Sequence, residues 1–317
     1  MTVRDRVTTP HGLVTATRRP GGPARPGRRP GGGSGAVTRL LPAPLRVLVL
    51  GVLLLVVLAP VLYMVFASVS SDLSVAEGAF LPTSLDLGNY LRIWSTVELG
   101  RGLLNSLLVA GAVAAVCAFV ALGSAYVLVR YAFRGRLAIL RGLLALQSIP
   151  GTLMLLPVFV LFASAAQLLG VPVIGTRWAL FVTYLTFALP FSTWVMVTYL
   201  RGLPPELDEA ARVDGASAWQ VLTRVILPLS WPGLVVAGIF ALLLGWNDVL
   251  FASVLTNPDT RTAAVALQVF GATQEGGAIP VYGQLMAAAL VCAAPVVVLY
   301  LVFQRYLISG LTAGGVK

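Results

Sequence analysis

Histidine occurs once in the 317 residues, at His11, and cysteine twice, at Cys117 and Cys292. Imidazole and thiolate are the side chains on which neutral-pH acid–base catalysis and most zinc sites depend. An enzyme built on either chemistry is therefore not expected, and no metal ligands are assigned. Two thiols are too few for a disulfide framework and lack metal-ligand spacing. Both fall inside apolar runs and read as small packing residues. Charge is scarce as well, at 11% of residues, with 12 acids against 22 bases. An ordinary soluble domain is about 25% charged and about 45–50% apolar. Here 58% of residues are hydrophobic and the mean hydropathy is +0.89, more apolar surface than a soluble chain of this length can hide. The expected solvent is a bilayer.

The chain does have long apolar runs, at about 45–67, 103–129, 138–165, 178–200, 232–254 and 284–304. Each meets or exceeds the roughly 20 residues that cross hydrocarbon. Backbone groups in lipid must be satisfied within the segment, so these runs are expected to be helices. The predicted fold class is an all-α integral membrane protein with six transmembrane helices.

A net charge of +10 invites a nucleic-acid partner until its distribution is read. Of the 22 basic residues, 18 lie in the N-terminal tail and in alternate segments counted from it, and 4 in the others. That asymmetry is the positive-inside pattern. It puts both termini, loop 130–141 and loop 201–231 in the cytoplasm, and no nucleic acid is expected. Residues 1–44 are rich in Arg, Pro and Gly and are predicted to be a disordered cytoplasmic tail. Two readings stay open for it: an extension that fixes orientation, or a segment drawn to anionic headgroups. The apolar run that follows is too long for a signal peptide. Residues 45–317 form the expected membrane domain. The segment GLTAGGVK at 310–317 has no Ser/Thr or helix after its lysine, so it is not expected to be a phosphate loop.

Acids are concentrated in one place, ELDEAARVDGASAWQVLTRVILP at 206–228, where Glu206, Asp208, Glu209 and Asp214 fall within nine residues. Pro204-Pro205 suits the entry to a helix, and the first three acids then sit at the positive end of its dipole. Leu207, Ala210 and Ala211 share one narrow face. Asp214-Gly215 is expected to end this helix through a left-handed glycine. Ser217 and Gln220 have capping-box spacing for a second one, and Pro228 and Pro232 turn the chain back into the membrane. The prediction is helix, turn, helix across the cytoplasmic mouth. By spacing alone, an ordinary amphipathic loop fits equally well.

The pattern Glu209-Ala210-Ala211, three residues, Gly215, nine residues, Val225-Ile226-Leu227-Pro228 resembles the EAA loop of binding-protein-dependent ABC importer permeases. Valine stands where that family usually has isoleucine. IPGTLMLLPVFVLF at 149–162, LPLSWPGL at 227–234, GWND at 245–248 and QRYLISGLTAGGVK at 304–317 are similar to MalG-type permeases of the carbohydrate-importer branch. The likeness runs from about residue 45 onward and omits the tail. It implies a type I importer permease fold in a bacterial cytoplasmic membrane and no enzyme activity or cofactor on this chain, with ATP and Mg on a partner ATPase. It also implies a second homologous permease in a heterodimer, surrounding membrane lipid, and an extracytoplasmic solute-binding protein docked on loops 68–101 and 255–283. On that resemblance Ala210 and Ala211 form the ATPase-docking face and Glu209 makes a polar or ionic contact. Asp214 and Gly215 make the turn, and Leu227 and Pro228 close the motif.

Polar groups inside lipid are functional candidates. Asn247 and Asp248 fall about two-thirds of the way across the fifth run, and Asp248 is the only acid within a predicted span. Gln147 and Ser148 precede the Pro150-Gly151 break in the third run, and Trp246 offers the aromatic face that sugar sites use. Each reads either as a substrate contact or as interhelical bonding and packing. The alternative function is an ion-gradient-driven secondary transporter, which usually carries more intramembrane ionisable groups than Asp248.

Overall fold

A computed structural model describes residues 42–82, 84–274 and 281–312. Most of the basic tail (1–41), Thr83, the segment 275–280 within the expected loop 255–283 and residues 313–317 lie outside the described residues. The chain divides into two compact units between Val56 and Val57. The described part of the first is the N-terminal half of helix α1 (Ala43–Ser68), whose large apolar side chains from Val47 to Val56 are exposed.

The second unit holds the rest. In chain order it contains α2 (Asp72–Ala76), α3 (Asn89–Thr96), α4 (Leu99–Arg130), α5 (Arg136–Leu146), α6 (Gly151–Leu169) and α7 (Arg177–Arg201). Next come α8 (Glu206–Val213), α9 (Ala218–Gln220), a π-helical turn (Val221–Ile226), α10 (Leu227–Leu229) and α11 (Trp231–Asn247). The series ends with α12 (Leu250–Leu255), α13 (Ala263–Gln274) and α14 (Tyr282–Thr312). Among the described residues there is no strand, only isolated bridges Ser70–Leu85 and Gly175–Thr256. Among the described residues five helices, α1, α4, α6, α7 and α14, are long and apolar enough to cross a membrane, and the bent pair Ala218–Leu229 with Trp231–Asn247 makes six if counted as one span. The fold is the all-α membrane class expected.

The core of the second unit is the packing of α4, α7 and α11 on one another. Val109, Val113, Cys117, Ala121 and Ala125 recur every fourth residue along α4 and are all buried. Leu180, Tyr184, Ala188, Ser192, Met196 and Leu200 do the same on α7, and Leu234, Ala237, Ala241 and Gly245 follow a three- then four-residue spacing on α11. Lipid supplies no hydrophobic drive between helices, so small residues that let backbones approach hold such a bundle together. Gly245 makes one of the tight contacts, since a Cβ there would lie 2.8 Å from Cδ2 of Tyr184. Gly245→Val is expected to destabilise the purified protein by about 1–3 kcal/mol through overpacking. Gly111→Val, with open space around it, should leave thermal unfolding in detergent unchanged.

Two expected spans need correction. The run 138–165 is not one helix: α5 ends at Leu146 and α6 starts at Gly151. Pro150 has no N–H to continue the ladder and disfavours helix in the residue before it. The crossing helix is therefore α6, which runs on to Leu169. The run 232–254 stops at Asn247, because Asp248 turns extended and its carboxylate caps α12 by accepting from Ala252 N (3.0 Å) and Phe251 N (3.4 Å). Asp248 thus lies at a break between helices, not within one. At the other end of α11 the chain bends 79° at buried Ser230.

Candidate functional site

The segment 206–229 forms the expected helix–turn–helix, and most of its geometry follows from local signals. Pro205 precedes α8, with Glu206, Asp208 and Glu209 in the first turn. The helix ends through Gly215, whose φ of 84° is open to glycine and strained for most other residues. The capping box is complete: Gln220 N donates to Ser217 Oγ (3.3 Å) and Ser217 N donates to Gln220 Oε1 (2.8 Å). Beyond it the helix loosens into the π turn before Pro228, in the first turn of α10.

Burial sorts the residues of this hairpin into two faces. Ala211, Ala216, Val221, Leu222, Ile226 and Leu227 pack on the cluster at the ends of α4 and α7. Facing away are Glu209, Ala210, Asp214 and Gly215, together with Val213 at 87% and Trp219 at 71% exposure, whereas the Arg212 guanidinium turns back over the Tyr131 ring, 5.9 Å from its centroid. The expected pairing of Ala210 with Ala211 on one docking face is therefore corrected: Ala210 faces outward, while Ala211 is half-buried against the bundle. Asp208 also departs from a simple dipole role. It is buried and forms an ion pair with Arg130, the last residue of α4. Arg130 Nη2 also donates to Leu203 O (3.2 Å). Val213 and Trp219 were not singled out from sequence, although two large apolar residues in an acidic loop are a readable signal. The Asp208–Arg130 pair spans 78 positions and leaves no local trace.

A cavity of about 880 Å³ opens among α6, α7, α11 and α12, and Gln147, Asn247 and Asp248 line it. Phe187, Phe191, Phe240 and Phe251 add aromatic faces, and Thr183, Tyr184, Thr186 and Ser192 add hydroxyls. These hydroxyls are committed: Thr183 and Thr186 donate to backbone carbonyls (2.8 Å each), Ser192 to Ala237 O (3.3 Å) and Tyr184 to Asp248 Oδ2 (2.9 Å). The amides of Gln147 and Asn247 make no hydrogen bond among the described residues and are exposed. Ser148 is exposed beside Gln147 but does not line the cavity. Trp246 is buried and turned to a second space of about 380 Å³ with Cys292, away from the first. Of the five residues expected on the path, three converge. Among the described residues no arginine, lysine or histidine lines the larger cavity.

At the opposite end of α4, buried polar groups tie the loop at 257–262 down. Asn105 Nδ2 donates to Asp259 O (3.0 Å) and Arg261 O (2.9 Å), while its Oδ1 accepts from Arg177 Nε (2.7 Å). Ser106 Oγ accepts from Ala263 N (2.9 Å). In the loop between α1 and α4, the hydrogen bond from Arg92 holds the Asp86 carboxyl below the usual carboxylate range.

The family model for "Binding-protein-dependent transport system inner membrane component" matches residues 108–312. The trehalose/maltose transport system permease protein MalG of Thermococcus litoralis is 33% identical over 275 residues, covering 85% of this chain and 96% of that one. The diacetylchitobiose uptake system permease protein NgcG of Streptomyces coelicolor is 33% identical, covering 82% and 84%. Among solved structures, a chain of a bacterial ABC transporter involved in import of the acidic polysaccharide alginate superposes with a TM-score of 0.68. It is 22% identical, with 83% and 95% covered.

Proposed function

The chain belongs to the binding-protein-dependent inner membrane transport components, and on that premise we propose that it is a transmembrane subunit of an ATP-driven importer for a neutral sugar or oligosaccharide. In this reading the loop 201–231 and both termini face the cytoplasm, residues 1–44 are a basic tail there, and 45–317 are the membrane domain. A separate ATPase subunit binds ATP and Mg and hydrolyses the nucleotide. It docks on the hairpin around α8, a second similar permease completes the passage, and a solute-binding protein delivers substrate to loops 68–101 and 255–283. ATP-driven closure of the ATPase pair moves the hairpin as a rigid body and alternates access to the cavity.

The observation that carries this reading is the pair Val213 and Trp219. Large apolar side chains are left in water on a doubly capped, otherwise polar hairpin, which is the composition of an interface anchor. An ion-driven carrier needs a titratable group free to load and unload. Asp248, the only acid on the cavity among the described residues, is held by the Tyr184 hydroxyl and two backbone amides. Affinity capture of the full chain from its native membrane tests the reading. ATPase subunits and a second permease should co-purify, and a chain recovered with no ATPase overturns it.

The cavity lining supports the substrate class. Sugar hydroxyls pair with neutral amides and sugar C–H faces lie on aromatic rings, whereas an anionic saccharide needs cationic partners that this lining lacks. Gln147→Ala and Asn247→Ala are each expected to raise the KM for transport about five- to tenfold, the loss of one neutral hydrogen bond worth about 1–1.5 kcal/mol. Capture of the ATPase should not change. Uptake assays with neutral and uronate oligosaccharides offered in parallel should show transport of the neutral set alone.

A further inference from the structure

Helix α4 is 32 residues long and is fastened at both ends by buried polar groups. At its last residue, the guanidinium of Arg130 pairs with Asp208 of α8, the two side chains being 9% and 6% exposed. The same guanidinium donates to Leu203 O, in the linker from α7 to α8. About 25 residues earlier, roughly 36 Å along the axis at 1.5 Å per residue, Asn105 and Ser106 hold the backbone of 259–263. Gly102 lies flush with Ala263, where a Cβ would sit 3.0 Å from Ala263 Cα. One helix therefore ties the hairpin with the exposed apolar pair to an outer loop at the opposite end of the bundle.

The chemistry at the two joints differs from the rest of the packing. Apolar contacts such as Ala211 or Leu227 on the bundle are non-directional and permit sliding. A buried ion pair does not, because separating it strands an uncompensated charge. Its orientation is also favourable at both helix ends, with a cation at the C-terminus of α4 and an anion in the first turn of α8.

We propose that the Arg130–Asp208 pair is a positioning pair, the joint through which displacement of α8 is passed to α4 and so to the outer loops. The proposal rests on the transport reading above. In it, Glu209, Ala210, Val213 and Trp219 take the push and Asp208 delivers it. A solute-binding protein on the outer loops signals the ATPase along the same helix in the reverse direction.

The test uses the whole complex in lipid nanodiscs, comparing wild type, Asp208→Asn, and the exchanged pair Asp208→Arg with Arg130→Asp. Two quantities are read: capture of the ATPase subunit, and stimulation of ATP hydrolysis by the loaded solute-binding protein. Asp208→Asn should capture the ATPase as wild type does, because Asp208 is buried away from the docking face, yet lose stimulation at least tenfold. The exchanged pair should recover part of the stimulation, above Asp208→Asn but below wild type, because it sets both charges against the helix dipoles. Undiminished stimulation in Asp208→Asn overturns the proposal. So does loss of capture, which would make the pair a mere support for the hairpin, or an exchanged pair that stays uncoupled. A wild-type complex lacking any ATPase would instead remove the transport reading, and this proposal with it.

Discussion

Replacing Val213 and Trp219 together by aspartate is expected to weaken binding of the ATPase subunit by at least a hundredfold. Both side chains are exposed, so neither supports the fold of this chain, and the variant should insert and purify normally. A buried tryptophan anchor such as Trp219 commonly contributes about 2–4 kcal/mol at a protein interface, and a carboxylate in place of it or of Val213 adds the cost of burying an unpaired charge. A titration of purified ATPase onto the immobilised permease measures the change. Ala210→Trp should act in the same direction, since its outward position lets a bulky ring hold the partner off. Wild-type affinity in the double variant would place the docking surface elsewhere.

Gly215→Val should lower transport about thirtyfold while leaving membrane insertion intact. No atom lies within 4 Å of a Cβ built at Gly215, so the penalty is not a clash; it comes from φ = 84°. A non-glycine residue held there costs about 1–3 kcal/mol, with a β-branched residue at the upper end. The chain relieves that strain by shifting the turn that joins α8 to the capping box at Ser217. Gly215→Asn provides the discriminating comparison, because asparagine tolerates the left-handed region. It should keep most of the transport rate. Equal loss in both variants would mean that the glycine is needed for contact with a partner, not for its backbone angle.

The parts of the architecture written in local chemistry were legible in the sequence. The hairpin's caps depend on residues within four positions of each other, so Pro205, Gly215, Ser217 and Gln220 can be placed from the sequence alone. The crossing helices are runs of apolar composition, and their existence needs no tertiary information. The breaks were less legible. Where α11 ends is decided by Asp248, whose carboxylate is positioned by Tyr184, 64 residues earlier. The inward turn of Ala211 and the burial of Asp208 depend on where the ends of α4 and α7 lie, and an i, i+3, i+4 face does not say which neighbour it meets. Trp246 shows the same limit. Composition marks it as an aromatic beside a polar pair, but helix rotation turns it to the smaller cavity, while Asn247 touches both.

The central claim is that α8 takes a mechanical push from a separate ATP-hydrolysing subunit. A photo-crosslinking amino acid at the outward-facing Ala210, irradiated in intact membranes with and without ATP, tests it most directly. The account predicts an adduct with the ATPase subunit whose yield changes with nucleotide. An adduct only with an extracytoplasmic protein, or none with any ATPase in a transport-competent membrane, would contradict it.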